Sequence, residues 1–484
     1  VSPRRLAELL DETPPEAAGV AVSGVAVDSR RVAPGFLFVA VPGTRVDGLR
    51  FVPAALAAGA TAIAGEAERP ADLPATVAFV RVTDARAALA QAAARMHPGR
   101  PETIVAVTGT AGKTSVADFV RQIEAALGRS SASLGTLGIV TATGASYGGL
   151  TTPDPVALHE TLERLAADGI THLAMEASSH GLDQKRLDGV RLAAAAFTNL
   201  GRDHLDYHPT MEAYFQAKMR LFRALLAPDA PAVINADGDW SDRALAVARE
   251  TGRRVLTTGA TGETLRLVSA ERAGFGQRLA IAHDGRTTQV DFPLIGAFQI
   301  ENALVAAGLV VAAGAQPAAA LAALSGLTGV PGRLERVGET NGALCVVDYA
   351  HKPDALRNVL ETLRPFATGK LVVVVGCGGD RDPGKRPIMG RVAVQGADVV
   401  IVTDDNPRSE DPAAIRAAMM TAAPGAREIG DRAEAIRAGV AMLQPGDVLV
   451  VAGKGHETGQ IVGDRTLPFY DHAEVRAAIE ARGS

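Results

Sequence analysis

The segment that most narrows the fold is Thr108-Gly109-Thr110-Ala111-Gly112-Lys113-Thr114. It follows directly on a β-like apolar run, TIVAV, and leads directly into the helical stretch SVADFVRQIEAAL. A strand that turns through glycines into a helix belongs to an α/β layer, where parallel strands end along one rim and helices cover the faces. Here the glycines let backbone N–H groups close around phosphate oxygens, and the helix N-terminus adds a favourable dipole. Lys113 then bridges the terminal phosphates and Thr114 reaches Mg²⁺. The strict eight-residue pattern asks for glycine at 107, where this chain has Val107. With strand, loop and helix in the right order, ATP binding is the better reading than a glycine turn that only caps a helix.

The alternation continues through ITHLAME, AAAAFTNL and PAVINADG, which predicts a mostly parallel sheet, and a strand-rich patch at about 254–292 precedes the helix NALVAAGLVVAAG. At ~150 residues per domain, 484 residues suggest about three domains. The breakers His97-Pro98-Gly99-Arg100-Pro101 and Val330-Pro331-Gly332 place them at 1–98, 99–330 and 331–484. Hydrophobic residues make up 47% and charged residues 21%, enough for sizeable cores; with aromatics at 4%, those cores are built from Ala, Val and Leu. A net charge of -5 gives no support to a nucleic-acid or membrane-surface partner. The longest apolar stretch, Ala303 to Ala313, is too short for the roughly 20 residues of a spanning helix. Glu8, Asp11 and Glu12 stand where a signal peptide would be apolar, so a cytoplasmic protein is expected. Cys345 and Cys377 lie in or beside strand-like runs and read as buried small hydrophobes rather than a redox pair.

Polar residues gather where strands end. Glu176 follows THLAM, then come Ser178, Ser179 and His180, and after the next strand Asn199, Asp203, His204, Asp206 and His208. Mg²⁺ takes oxygen ligands and keeps several waters, which suits Glu176. Zinc does not fit, because cysteines and a helical His-x-x-x-His pair are missing. Singly, each of these histidines reads equally well as a surface or capping residue. In the last part, three more strands end in polar loops: Gly376–Asp382 with Lys385 and Arg386 after it, Asp405-Asn406-Pro407-Arg408, and Gly453-Lys454-Gly455-His456-Glu457. Arg381 and Arg408 can fork onto carboxylates; the competing reading is a surface ion pair, for Arg408 with Glu410 or Asp411.

In chain order, GTAGKT, TTPDP, MEASSH, FTNLGRDHLDYH, YFQAKMRLF, PGRLE, DYAHKPDAL, GGDRDPGKRPIM, DNPRSEDP and GKGHE resemble the ATP-dependent Mur ligases, in particular the branch that adds the third amino acid of the peptidoglycan stem. The resemblance covers nearly the whole chain, with DSR at 28–30, and the short GT-x-GKT loop is the family's own form, which accounts for Val107. EASSH stands where the family usually shows EVSSH.

The resemblance implies an α/β fold of three domains: a UDP-sugar-binding N-terminal domain, a central P-loop ATPase domain, and a Rossmann-like C-terminal domain for the amino acid. It implies that Gly109, Thr110, Ala111, Gly112, Lys113, Thr114 and Ser115 hold ATP, with Asn302, Arg333, Asp348 and His351. Thr114, Glu176 and His204 match Mg²⁺ positions, and Lys218 matches the lysine that these enzymes carbamylate. Without the resemblance Lys218 reads as an ordinary helical surface lysine. Ser29, Thr151, Thr152, Ser178, Gln184 and Arg186 match positions for the UDP-sugar dipeptide. Arg381, Asp405, Asn406, Pro407, Arg408, Gly453 and Glu457 match those for the incoming amino acid.

The reaction implied activates the D-Glu side chain of UDP-N-acetylmuramoyl-L-Ala-D-Glu as an acyl phosphate, which the amine of the added amino acid attacks. The DNPR form of the loop points to meso-diaminopimelate, with L-lysine or L-ornithine as alternatives. A monomer acting on small molecules, with no nucleic acid and no membrane, is expected. The rivals are a folylpolyglutamate-synthase-like ligase, against which the N-terminal unit argues, a P-loop regulator or motor, and a binding protein with a dead nucleotide site.

Overall fold

In the computed structural model, which describes residues 2–43, 46–146 and 150–483, the run after the first breaker forms the strand Thr103–Thr108 at the middle of a large sheet. Six parallel strands lie side by side in the order Ser131–Gly135, His172–Glu176, Thr103–Thr108, Ala194–Phe197, Ala232–Asn235 and Val255–Gly259. Gly138–Thr141 and Gly144–Ser146 extend one edge antiparallel. At the other edge the order continues through Leu265–Ala273, Gly276–His283 and Arg286–Phe292, the strand-rich patch expected from the sequence. Glu176 pairs in register with Val107, and Phe197 with Thr108. The C-terminal ends of three neighbouring strands therefore frame the glycine loop.

The chain forms two compact units. The first comprises Val1–Val268, Ile281–Thr288 and Glu301–Ala323. Within it, residues 1–98 carry a separate parallel sheet of Gly24–Ala26, Phe36–Ala40, Ala62–Gly65 and Ala78–Arg81. They belong to the same unit because the helix Ala85–Met96, N-capped by Asp84, packs its alanine face against the helix Pro155–Ala167. Val156 of that second helix joins the core of the small sheet. His97, inside the breaker cluster, is pinned to Glu163 at 2.8 Å.

The second unit comprises Ser269–Ala280, Gln289–Ile300 and Leu324–Ser484. Its sheet runs Glu335–Thr340, Ala343–Asp348, Val448–Ala452, Leu371–Val375, Val399–Val402, Arg427–Glu428; the first pair is antiparallel and the rest parallel. Leu371–Val375 and Val448–Ala452 are buried along their whole length, as strands covered on both faces must be. Asp348 and Val375 both pair with Ala452, and Val375 pairs with Val402. That register brings the loops after these four strands to one rim. Cys345 and Cys377 are buried free thiols, and burial pushes each up to about 12, as expected of small hydrophobes. Among the described residues, no helix is long and apolar enough to cross a membrane.

Candidate active site

The glycine loop of the first unit is shaped by its neighbours. Gly109 and Gly112 have φ of 153° and 86°, the left-handed side of the map that L side chains rarely adopt. A Cβ at Gly109 would collide with Thr198 Oγ1, and one at Gly112 with Asn302 Oδ1. The strand end beside the loop braces it. The Ala111 N–H donates to Asn199 Oδ1 (2.9 Å), the Thr110 N–H to the Asn199 carbonyl (2.9 Å), and the Thr198 hydroxyl to the Ala111 carbonyl (2.7 Å). Lys113 opens the helix Lys113–Ala126 and folds back over the loop, donating to the carbonyls of Gly109 (2.9 Å) and Thr110 (3.0 Å). Thr114 and Ser115 follow in the first turn, and Asn302 lies in the helix Ala297–Ala312. Asn199, singled out in the sequence as a polar residue after a strand, is a brace of the loop; Thr198 beside it was missed, its signal being the same position after the strand AAAAF.

Lys218 overturns its bland reading. It sits in the helix Met211–Arg220, is 1% exposed, and donates from Nζ to the Gly109 carbonyl at 2.7 Å, with the Tyr214 ring 4.4 Å away. Burial first, and then the nearby charge of Lys113, hold its amine well below the ordinary lysine range. Glu176, also 1% exposed, accepts from the Thr136 N–H (2.7 Å) and hydroxyl (3.3 Å). His204 lies in the loop before Pro209, with φ of 53°, half-exposed beside Asp203. It packs against His180 and Tyr214, and His180 in turn packs on Tyr207 and His208. Among the described residues, no group of three or more His, Cys, Asp and Glu forms a ready metal cage. The Glu176 carboxylate and the Thr114 hydroxyl are the oxygen donors a hard cation takes while it completes its shell with water and phosphate; the His204 imidazole is the weaker match. Lys218 as an amine does not fit; only its carbamate would.

Five of the six residues matched to the UDP-sugar dipeptide form one network. The Thr152 hydroxyl donates to the Glu176 carbonyl (3.0 Å) and shares a hydrogen bond with Ser178 Oγ (3.0 Å). Arg186 donates to the Thr152 carbonyl (2.8 Å) and to Gln184 Oε1 (2.7 Å), and Thr151 Oγ1 meets Thr136 Oγ1 at 3.1 Å. Ser29 lies in the 3₁₀ turn Ser29–Arg31, and among the described residues no hydrogen bond ties it to this network.

The second unit holds a cavity of about 620 Å³. Six of the seven residues matched to the amino acid line it: Arg381, Asp405, Asn406, Arg408, Gly453 and Glu457. Pro407 does not; its carbonyl faces Gly379. His351, grouped above with the nucleotide, is in the cavity wall, together with Lys385, named above with the polar loops, and with Tyr349 and Lys352, which were missed. Lys385 donates to the His351 carbonyl at 2.8 Å. Arg333 stacks over the Tyr349 ring, and Asp348 accepts from the N–H groups of Leu334 and Ala350, each at 2.7 Å. Burial pushes the Asp348 carboxyl up to about 6 against those hydrogen bonds and Arg333.

Arg408 has φ of 52° and is clamped by its backbone, its N–H donating to Ile461 and its carbonyl accepting from Gly463. Its guanidinium donates to the Gly379 carbonyl at 2.9 Å. The carboxylates that competed for it are engaged elsewhere: Glu410 pairs with Arg386 (2.7 Å), and Asp411 caps the helix Pro412–Met420.

Three family models match the chain: the Mur ligase family catalytic domain over residues 21–97, the Mur ligase middle domain over 107–310, and the Mur ligase glutamate ligase domain over 332–455. The chain belongs to the Mur ligase family, and its fold is the three-domain α/β fold of that family. It is 58% identical to the UDP-N-acetylmuramoyl-L-alanyl-D-glutamate--2,6-diaminopimelate ligase of Agrobacterium fabrum, over 97% of this chain and 96% of that one. It is 57% identical to the ligase of the same name from Bradyrhizobium diazoefficiens, over 97% of each. A solved structure of a ligase with that name superposes with a TM-score of 0.79 at 35% identity, covering 100% of both chains.

Proposed function

We propose that the chain is the ligase that uses ATP to join meso-diaminopimelate to the D-Glu side-chain carboxylate of UDP-N-acetylmuramoyl-L-Ala-D-Glu, a step of peptidoglycan synthesis. The observation that carries this reading is the cavity of the second unit, where Arg408 and Arg381 stand with Glu457 and Asp405 in one wall. Two carboxylates and a distal ammonium match such a set of charges, and the names of the full-length relatives support the same choice.

In this reading residues 1–98 serve the UDP-sugar, 99–330 the nucleotide and 331–484 the amino acid. The glycine loop and the first turn of its helix receive the ATP phosphates, with Lys113 swinging from the loop carbonyls onto the terminal phosphate. Mg²⁺, held by Thr114, Glu176, His204 and carbamylated Lys218, would supply charge neutralisation at the phosphates. Burial disfavours the ammonium form of Lys218 and so favours the amine, the form that adds to CO₂ with loss of one proton; the product is an anion where a cation is costly to bury. The carboxylate of D-Glu takes the γ-phosphoryl group of ATP and ADP leaves. The incoming amine then attacks the acyl carbon, phosphate leaves, the amide forms and one proton is released. The Thr152–Ser178–Arg186 network, bonded to the Glu176 carbonyl, holds the acceptor end. The enzyme would act in the cytoplasm, as a monomer, on small molecules alone.

The test is incubation with ATP, Mg²⁺ and the UDP-dipeptide against meso-diaminopimelate, L-lysine, L-ornithine and a folate acceptor, read by product mass. A diaminopimelate product is expected. Equal use of lysine would overturn the amino-acid assignment, and ATP turnover that needs no acceptor would overturn the ligase.

A further inference from the structure

Glu457 and Asn406 line the cavity, and one lysine touches both. Lys454 has 0% exposed surface. Its backbone is bent inward by two glycines, Gly453 with φ of 122° and Gly455 with φ of 52°. A Cβ on the first would meet Asp405 Oδ2, and on the second the Tyr349 side chain at 2.7 Å, so both must stay bare. The loop is thus built to bury a cation, which is costly unless the cation is matched.

The match is close. Lys454 Nζ donates to Asn406 Oδ1 at 3.0 Å and to Glu457 Oε2 at 3.2 Å. The Ile461 N–H donates to the same Asn406 oxygen at 2.9 Å, and Asn406 Nδ2 donates to Glu457 Oε2 at 2.8 Å. Two donors on Oδ1 fix which way the Asn406 amide faces. Glu457 Oε2 then receives two buried donors, while its side chain still lines the cavity.

We propose that Lys454 is a positioning residue: it holds the Asn406–Glu457 pair so that Glu457 turns one carboxylate oxygen to the cavity, and so selects the distal ammonium of the incoming amino acid. This rests on the substrate reading above. A buried lysine with a purely structural role would lower stability without singling out one substrate.

The test uses full-length Lys454→Met and Lys454→Gln, with melting temperature followed beside steady-state kinetics. A charge-assisted hydrogen bond is worth enough for KM for diaminopimelate to rise about tenfold to a hundredfold in Lys454→Met, less in Lys454→Gln. KM for ATP and for the UDP-dipeptide should stay within about twofold, and kcat within about threefold, because uniform binding is lost rather than the chemical step. In a Glu457→Gln background the Lys454→Met effect on KM should shrink to about threefold or less, the non-additivity expected of coupled groups. An unchanged KM for diaminopimelate, an equal rise for all three substrates, the same factor in the Glu457→Gln background, or failure of both variants to fold would each overturn the role. Wild-type protein that makes no diaminopimelate product overturns the substrate reading itself. Wild-type turnover with variants that keep its KM overturns only Lys454.

Discussion

At the glycine loop of the first unit, Lys113 and Lys218 both donate to the Gly109 carbonyl, and Lys218 lies buried over the Tyr214 ring. In the second unit, buried cations meet carboxylates instead: Lys454 with Glu457 of the cavity wall, Arg386 with Glu410, and Arg432 with Asp471 at 2.7 Å. On the proposed function, the first arrangement is a receptor for charge that arrives with the substrate. Main-chain carbonyls hold both amines, and burial drives Lys218 towards its neutral form. The pairs of the second unit are charge-matched before anything binds, so the frame of that site is fixed in advance, while Arg408 in its wall is held only by the Gly379 carbonyl. On the proposed function, chemistry that develops charge belongs to the loop, and discrimination between similar ligands to the cavity. The two regions should fail differently when altered.

The largest failure is expected at the loop. Lys113→Ala should lower kcat on the order of 10³-fold, because charge on the transferring phosphoryl group loses its anchor. KM for diaminopimelate should barely move. Phosphate release measured under saturating amino acid checks this, and near-normal turnover would remove the phosphate-loop assignment. Lys218→Ala should follow, losing on the order of 10²-fold, with partial recovery on adding short carboxylates that replace the missing carbamate. Mass spectrometry under conditions that preserve carbamate should show the added mass on Lys218 in the unaltered protein. Burial holds the amine low, so the modification should persist at pH values where an exposed lysine is protonated. A wild-type rate in Lys218→Ala, or an unmodified lysine, would break the contrast drawn above.

The two regions were also unequally readable from the sequence. The loop is contiguous: Gly109, Gly112 and Lys113 shape it through their own backbone angles and their place between strand and helix, all local properties. Lys218 carries no such signal. It lies 109 residues from the carbonyl it touches, on a helix whose pattern alone gives a surface lysine, and only the family resemblance singled it out. The cavity depends on strand order, with Val448–Ala452 inserted between Ala343–Asp348 and Leu371–Val375. Alternating strands and helices predict a parallel sheet without fixing that order, so Tyr349, Lys352 and Lys385 could not be placed in the wall. The packing of residues 1–98 onto the helix Pro155–Ala167 was hidden for a similar reason: an alanine face gives a weak periodic signal.

Arg408→Ala sharpens the other side of the comparison. Its guanidinium is held by one hydrogen bond to the Gly379 carbonyl, while Glu410 and Asp411 are occupied elsewhere. A bidentate carboxylate would complete its donors. Diaminopimelate differs from lysine by that distal carboxylate, so the variant should lose about tenfold to a hundredfold in kcat/KM for diaminopimelate. Its use of lysine should fall little or rise, because an unmatched guanidinium no longer repels an ammonium. Transfer of the phosphoryl group from ATP to the UDP-dipeptide at the loop should remain intact. Competition between the two amino acids in one reaction reads this directly, and an unchanged preference would sink the role of Arg408.

The smallest expected effect lies one layer behind the cavity, where the two arginine loops are stitched together. Asp380, with φ of 53°, accepts from the Ser409 hydroxyl at 2.5 Å and from its N–H at 3.2 Å, while the Gly379 N–H donates to the Asn406 carbonyl at 2.9 Å. These bonds tie the loop bearing Arg381 to the loop bearing Arg408; the hydrogen bonds from Ser409, its hydroxyl first, and then the charges of Arg408 and Arg381 hold Asp380 below the usual carboxylate range. Ser409→Ala removes the hydroxyl and leaves the N–H bond and the Arg386–Glu410 pair in place. The site is exposed and the remaining stitches are redundant, so KM for diaminopimelate should rise only about two- to fivefold. As pH falls through the lowered Asp380 value, protonation weakens the same stitch. Wild-type KM should therefore drift upward towards acid pH, and the Ser409→Ala curve should drift less. If Ser409→Ala instead costs as much as Arg408→Ala, the cavity is not fixed in advance by redundant contacts, and the division between a receptive loop and a preset cavity would have to be abandoned.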